Sequence, residues 1–174
     1  MGELEQRNKA IVGRFGQAQS ARRLDLLEEL IEPAFVRHCQ ATPDVEIRCR
    51  EEFLQFLKDD WAAVTDGRIT ARLMLAEGDF VAVLGEYTGT QSGQWGPVPP
   101  TNLPFVLEFL AIFRLHSERI AELWITWDNL ALSCKTCNQG WKRNLFPVRA
   151  TRTADVREGD EATDAPLLLD PSSP

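Results

Sequence analysis

Residues 104–131 read PFVLEFLAIFRLHSERIAELWITWDNLA. Two long extended runs, about 104–115 and 119–131, flank a polar turn near Ser117, the pattern of an antiparallel strand pair. The residues before them continue it. Ile69, Ala71, Leu73 and Leu75 alternate with Thr70, Arg72 and Met74, the period of two expected of a strand. Gly78-Asp79 marks a tight turn, and FVAVLGEYTGT (80–90) forms the returning strand, with glycines that suit a sharply bent sheet.

Upstream of this meander the period changes. Leu4, Ile11, Phe15 and Ala18 recur at helical spacing and predict a helix over 3–19. A second helix reads from Leu24 to Ile31, stopped by Pro33. A third runs over 50–65, with Phe53, Leu54, Leu57, Trp61 and Val64 on one stripe and Gly67 as its terminator. Short extended pieces are expected at 35–40 and 45–49. Helices first and an antiparallel meander afterwards give an α+β fold, with the N-terminal helices on the concave face of a strongly curved antiparallel sheet. Such a sheet closed by helices encloses a conical cavity, the default place for a ligand.

The 174 residues suffice for one domain with a core, expected over 1–150. The stretch 151–174 is acidic and Pro-containing and is expected to be a disordered tail. Of the net charge of −7, −5 sits in residues 153–174, which leaves −2 for the rest. No basic stripe exists to neutralise phosphates, which argues against nucleic acid as a partner. No apolar run approaches the roughly 20 residues of a membrane span. The opening MGELEQRNKA lacks the apolar stretch of a secretion signal, so the cytoplasm is expected. Cys39, Cys49, Cys134 and Cys137 then read as free thiols. Cys134 and Cys137 form a CxxC, but a structural zinc site usually takes four ligands and no second CxxC is present. No metal is expected. Nucleotide-binding, zinc-protease and α/β-hydrolase motifs are also missing from the sequence.

Five phrases occur in order: NKAIVGRF (8–15), LDLLEELIEPAFVRH (24–38), AEGDFVAVLGEYTGTQSGQWGPVPPTN (76–102), FLAIFRL (109–115) and RIAELWITWDNLAL (119–132). Together they resemble the successive signatures of SnoaL-like polyketide cyclases, within the nuclear-transport-factor-2-like superfamily. The resemblance implies a conical α+β barrel, a homodimer, and chemistry without metal or cofactor, in some members an intramolecular aldol cyclisation. It also implies an acidic residue on the last long strand as acid/base, which by position is Asp128. Two departures stand out. The turn before the last strand reads His116-Ser117-Glu118-Arg119 where the family has an Asp-Gly-Lys-like turn. The segment SCKTCNQGWKRNLFPV (133–148) replaces the family's usual short ending.

On an extended strand Glu122, Trp124, Thr126 and Asp128 share one face. A carboxylate aimed into an apolar cavity has its pKa raised toward neutrality, which suits it to take a proton beside a carbonyl. The alternative is that Asp128 caps the strand end in water. Glu122 is either a rim carboxylate or a solvated one. His38 either orients Asp128 and donates to a substrate carbonyl, or is structural. Arg114 either holds a carbonyl or carboxylate, or pairs with Glu108 or Glu122. Trp61, Tyr87, Phe109 and Trp124 are walls for a flat apolar substrate or ordinary core residues. Trp95, on a Pro/Gly loop, suggests a lid or a subunit contact. His116 reads as surface.

The expected function is therefore a cofactor-free cyclase or isomerase working at an acidic carbon of a small apolar carbonyl compound. The alternative is a non-catalytic small-ligand or protein-binding module of the same fold. Ester or epoxide hydrolysis in the same cavity is a third reading.

Overall fold

The computed structural model describes residues 2–95 and 98–129. The Cys134/Cys137 pair, the acidic stretch 151–174 and residues 130–131 of the expected last strand lie outside the described residues. Three helices, α1 (Glu3–Ser20), α2 (Leu24–Leu30) and α3 (Arg50–Ala63), accompany five strands: β1 (Ile31–Cys39), β2 (Arg68–Glu77), β3 (Phe80–Thr90), β4 (Pro104–His116) and β5 (Arg119–Trp127). Among the described residues no helix is long and apolar enough to cross a membrane.

The strands form one sheet in the order β1-β5-β4-β3-β2. β2 to β5 make the antiparallel meander read from the sequence, but β1 joins β5 in parallel. No hairpin fixes its direction, because α3 and the whole meander separate the two strands in the chain. The expected piece at 45–49 contributes only a bridge from Ile47 to Arg37. Helix α3 stops at Ala63, four residues before Gly67. Register shifts at Ile31/Val36, Ala71/Leu73 and Arg114/Leu115 interrupt the ladders, and irregularities of this kind bend and twist a sheet.

Local chemistry explains the turns. Gly78 adopts φ +52° between Glu77 and Phe80, the left-handed geometry a two-residue hairpin requires. The β4–β5 turn makes the same demand of Ser117 (φ 48°) and Glu118 (φ 64°), neither of them glycine. At the end of α1, Arg22 takes the left-handed position (φ 55°) while the Arg23 N–H donates to the Ala18 carbonyl, a Schellman-type stop. The Arg22 guanidinium then donates to the carbonyls of Val64 and Thr65 just after α3.

The core lies between the helices and the inner face of the sheet. Ile11, Val12 and Phe15 of α1 meet Phe53 and Leu57 of α3, and below them Val81, Val83, Phe113 and Leu123. Phe15 stacks on Phe53 at 6.1 Å and meets Phe113 edge-on at 5.5 Å. In β4 the alternation is strict. Phe105, Leu107, Phe109, Ala111, Phe113 and Leu115 are buried, and the even-numbered residues between them turn outward.

Candidate functional site

A cavity of about 440 Å³ opens among α1, α3 and the inner face of the sheet. Its size falls within the range of small-molecule sites. Eight of its lining side chains are aromatic, and the charged ones are Arg37 and Asp60.

Asp60 stands on α3, one turn after Leu57, on the side that faces the cavity. The Tyr87 hydroxyl, from β3, donates to Asp60 Oδ2 at 2.7 Å. Burial lifts the Asp60 carboxyl above the ordinary carboxylate range, while the Tyr87 bond and the charges of Arg22 and Arg37 pull it back. Burial, followed by the adjacent Asp60 charge, drives Tyr87 well above the usual phenol value, so its hydroxyl stays protonated. Gly67 makes room for this pair: a Cβ there would stand 2.7 Å from the Tyr87 hydroxyl.

Arg37 reaches the cavity from β1 and is 6% exposed. Its guanidinium lies 4.6 Å from the Phe56 ring centre and 5.7 Å from that of Trp127, and donates to Thr42 Oγ1 at 3.1 Å. Burial lowers its pKa, yet a guanidinium remains charged in proteins. The cavity thus holds a cation packed against two rings and a carboxyl that carries its own donor.

Trp95 lines the cavity from the loop after β3, edge-on to Tyr87 at 6.3 Å and tilted on Phe105 at 5.3 Å. Gln91, fully buried, organises that loop. Its amide donates to the carbonyls of Val98 and Pro99, and its oxygen accepts from Thr101. The amides of Ser92 and Gly93 both donate to the Ala63 carbonyl at the end of α3.

The residues expected from the sequence divide between the two faces of the sheet. Tyr87 and Phe109 line the cavity. Trp61 packs against the core but does not line the cavity. Asp128 follows the end of β5, is exposed, and is not among the lining residues. His38, Arg114, Glu122 and Trp124 gather on the outer face. Arg114 Nε donates to Glu122 Oε2 at 2.7 Å, His38 Nε2 lies 3.7 Å from Glu122 Oε1, and the His38 ring stacks on Trp124 at 5.0 Å. The Arg114 bond holds the Glu122 carboxyl below its usual range. His116 is exposed and bonds Glu32 at 2.6 Å. Among the described residues no group of three or more His, Cys, Asp or Glu side chains could hold a metal ion.

Residues 9–134 match the SnoaL-like polyketide cyclase family. The chain belongs to that family. A SnoaL-like candidate cyclase from Jannaschia sp. CCS1 superimposes with a TM-score of 0.73 at 20% identity, over 80% of this chain and 97% of the other. IdmH, a candidate polyketide cyclase from Streptomyces antibioticus, gives 0.66 at 28% identity, over 74% and 96%. The helices and curved sheet described above are the nuclear-transport-factor-2-like fold of these SnoaL-like proteins. A 49-residue stretch is 37% identical to the Septu protein PtuB of Bacillus mycoides strain KBAB4. It covers 28% of this chain and only 17% of that protein.

Within this SnoaL-like chain, sequence reading did not single out Arg37 and Asp60. The signals were present. Arg37 follows Phe35 at a spacing of two on a strand whose Phe35 is fully buried. Asp60 falls three after Leu57 and seven after Phe53, a carboxylate on the apolar stripe of its helix.

Proposed function

We propose that this SnoaL-like protein is an acid/base catalyst acting at an acidic carbon of a small carbonyl compound bound in the aromatic-lined cavity. The observation that carries this reading is the Asp60 carboxyl, raised by burial in a cavity that Arg37 also lines. Asp60, as carboxylate, takes the proton from the carbon beside the carbonyl. The C–H electron pair moves into a C=C bond and the carbonyl pair onto oxygen, giving an enolate. Arg37 stabilises that oxygen, and its contacts with the Phe56 and Trp127 rings limit the reorganisation this requires. The enolate carbon then adds to a second carbonyl of the same molecule, whose oxygen takes back the proton held by Asp60. Alternatively, where the enolate is conjugated with a further C=C bond, Asp60 returns the proton to the far carbon of that system. These are cyclisation and isomerisation, and neither step draws on an outside oxidant or reductant. Tyr87 and Phe109 serve as walls, with Tyr87 also holding Asp60 in place.

Exposed Asp128 favours a second reading, a non-catalytic module that binds the same kind of ligand. Titration of the Asp60 carboxyl by carbon-13 NMR separates the two. A pKa above the ~3.9 of free Asp supports a desolvated base, whereas a value at or below it supports the binding module. With a turned-over carbonyl compound in hand, Asp60→Asn should lower the rate by about 10²–10⁴-fold while binding persists.

A further inference from the structure

Among the described residues four polar or charged side chains are buried: Asn8, Gln19, Arg37 and Gln91. Three of them are bonded. Asn8 donates to the Gly78 carbonyl at 2.9 Å, Arg37 to Thr42, and Gln91 to the carbonyls of its own loop. The Gln19 carboxamide has no hydrogen-bond partner among the described residues, although Gln19 is only 8% exposed. Buried amides are nearly always paired, and an open one calls for a partner that the chain does not supply.

Position indicates that partner. Val12, Phe15 and Gln19 follow one another at three and four residues along α1, so they share a face, and all three line the cavity. An apolar side chain would continue that stripe with nothing left unpaired. The Gln19 nitrogen and oxygen are not sealed in the core as Glu5 Oε2 is, so a bound molecule can reach them. The end of α1 is fixed beside β2, where Ser20 Oγ accepts from the Ile69 N–H at 2.9 Å. Arg37 enters the same cavity from β1, the strand at the other edge of the sheet. Tyr87 of β3, which holds Asp60, stands between them in strand order.

We infer that Gln19 is a specificity-determining residue, whose carboxamide hydrogen-bonds a second oxygen of the ligand at the end away from its carbonyl. The inference rests on the reading that Arg37 holds that carbonyl. A primary amide carries donors and an acceptor, so it pairs with a hydroxyl in either direction. The eight aromatic walls fit a flat ring system that carries both groups.

Isothermal titration calorimetry of the full chain tests this with two probes, methyl β-naphthyl ketone and its analogue with a hydroxyl on the distal ring. Wild type is compared with Gln19→Met, which keeps the length and helical preference of Gln but offers no N–H. We expect wild type to bind the hydroxylated ketone about 5-fold or more tightly than the plain one, as one net hydrogen bond gives. In Gln19→Met that preference should vanish or reverse. A crystal structure of the wild-type complex should place the hydroxyl about 3 Å from the Gln19 amide. A hydroxyl seated elsewhere overturns the inference. So does a Gln19→Met protein that weakens both ketones in proportion, the mark of a purely structural residue. The wild-type comparisons decide the matter even if the variant does not fold. Equal binding of the two ketones to wild type overturns only the role of Gln19. Binding of neither overturns the carbonyl-ligand reading, and this inference with it.

Discussion

Tyr87 on β3 and Asp60 on α3 are joined by a 2.7 Å hydrogen bond that crosses from sheet to helix at the cavity. The phenol is held protonated and the carboxyl is held high, so the donor and acceptor roles in this bond are fixed. Its removal therefore has a signed outcome. Tyr87→Phe takes away a bond that favours the ionised carboxyl, so the Asp60 pKa should rise further in a carbon-13 titration. The stability cost should be about 1–3 kcal/mol, that of a buried acceptor left without its donor, read by urea denaturation. An unchanged pKa would show that the bond does not govern Asp60.

Gly67→Ala should reproduce that result without touching either partner. The new methyl would stand 2.7 Å from the Tyr87 hydroxyl oxygen, too close for either to keep its place, and Gly67 is not among the residues at positive φ, so the effect is steric rather than a backbone effect. A crystal structure should show the ring displaced from Asp60, and the titration should shift upward as in Tyr87→Phe. A hydroxyl that stays within bonding distance of Asp60 in the variant would refute this role for Gly67.

Asp60→Asn isolates a pH effect. A carboxyl raised in the folded state binds its proton more tightly there than in the unfolded chain. Its favourable contribution is complete below the unfolded pKa of ~3.9 and is lost as pH rises through the folded value. Asp25, Glu51, Asp66 and Glu122 have lowered values and oppose it, since their contributions are lost on acidification. The informative quantity is the difference between wild type and variant. Relative to Asp60→Asn, wild type should lose stability from about pH 4 upward, as measured by melting temperature across pH. A difference that stays flat would place Asp60 in water.

The β4–β5 turn is open to improvement. Ser117 and Glu118 both sit in left-handed backbone, which costs a residue with a side chain about 1–2 kcal/mol. Ser117→Asn with Glu118→Gly supplies the pair such turns prefer. The exposed Arg7–Glu118 ion pair lost in the exchange is worth little. A rise of about 3 °C in melting temperature is expected, and a fall would mean the ion pair outweighs the backbone.

The sequence made the order of elements legible because periods of 3.6 and 2 are strong signals over long runs. The face each strand turns inward was legible only in part. In β4 polar and apolar residues alternate closely enough to decide. In β5, Trp124 interrupts the alternation by being apolar on the outward side, so the face carrying Glu122, Trp124 and Asp128 read as the inner one. Register corrects it: Leu123 pairs with buried Phe113, and Trp124 with outward Ile112. The same one-residue parity separates His38 from Arg37 on β1. Asp60 escaped notice because a stripe of Phe53, Leu54, Leu57 and Trp61 reads as pure core. Only the cavity between helix and sheet shows why a carboxylate belongs there. The parallel pairing of β1 with β5 leaves no local trace, since no turn connects them.

Gln91 uses both ends of its amide to hold the loop at Val98, Pro99 and Thr101, all outside the cavity lining. The Trp95 side chain, which does reach the cavity, takes no part in that bonding. The loop is therefore fastened twice, by the buried amide of Gln91 on its polar side and by the Trp95 ring packed on Tyr87 and Phe105 on its apolar side, so a change at position 95 would loosen the loop as well as reshape the wall.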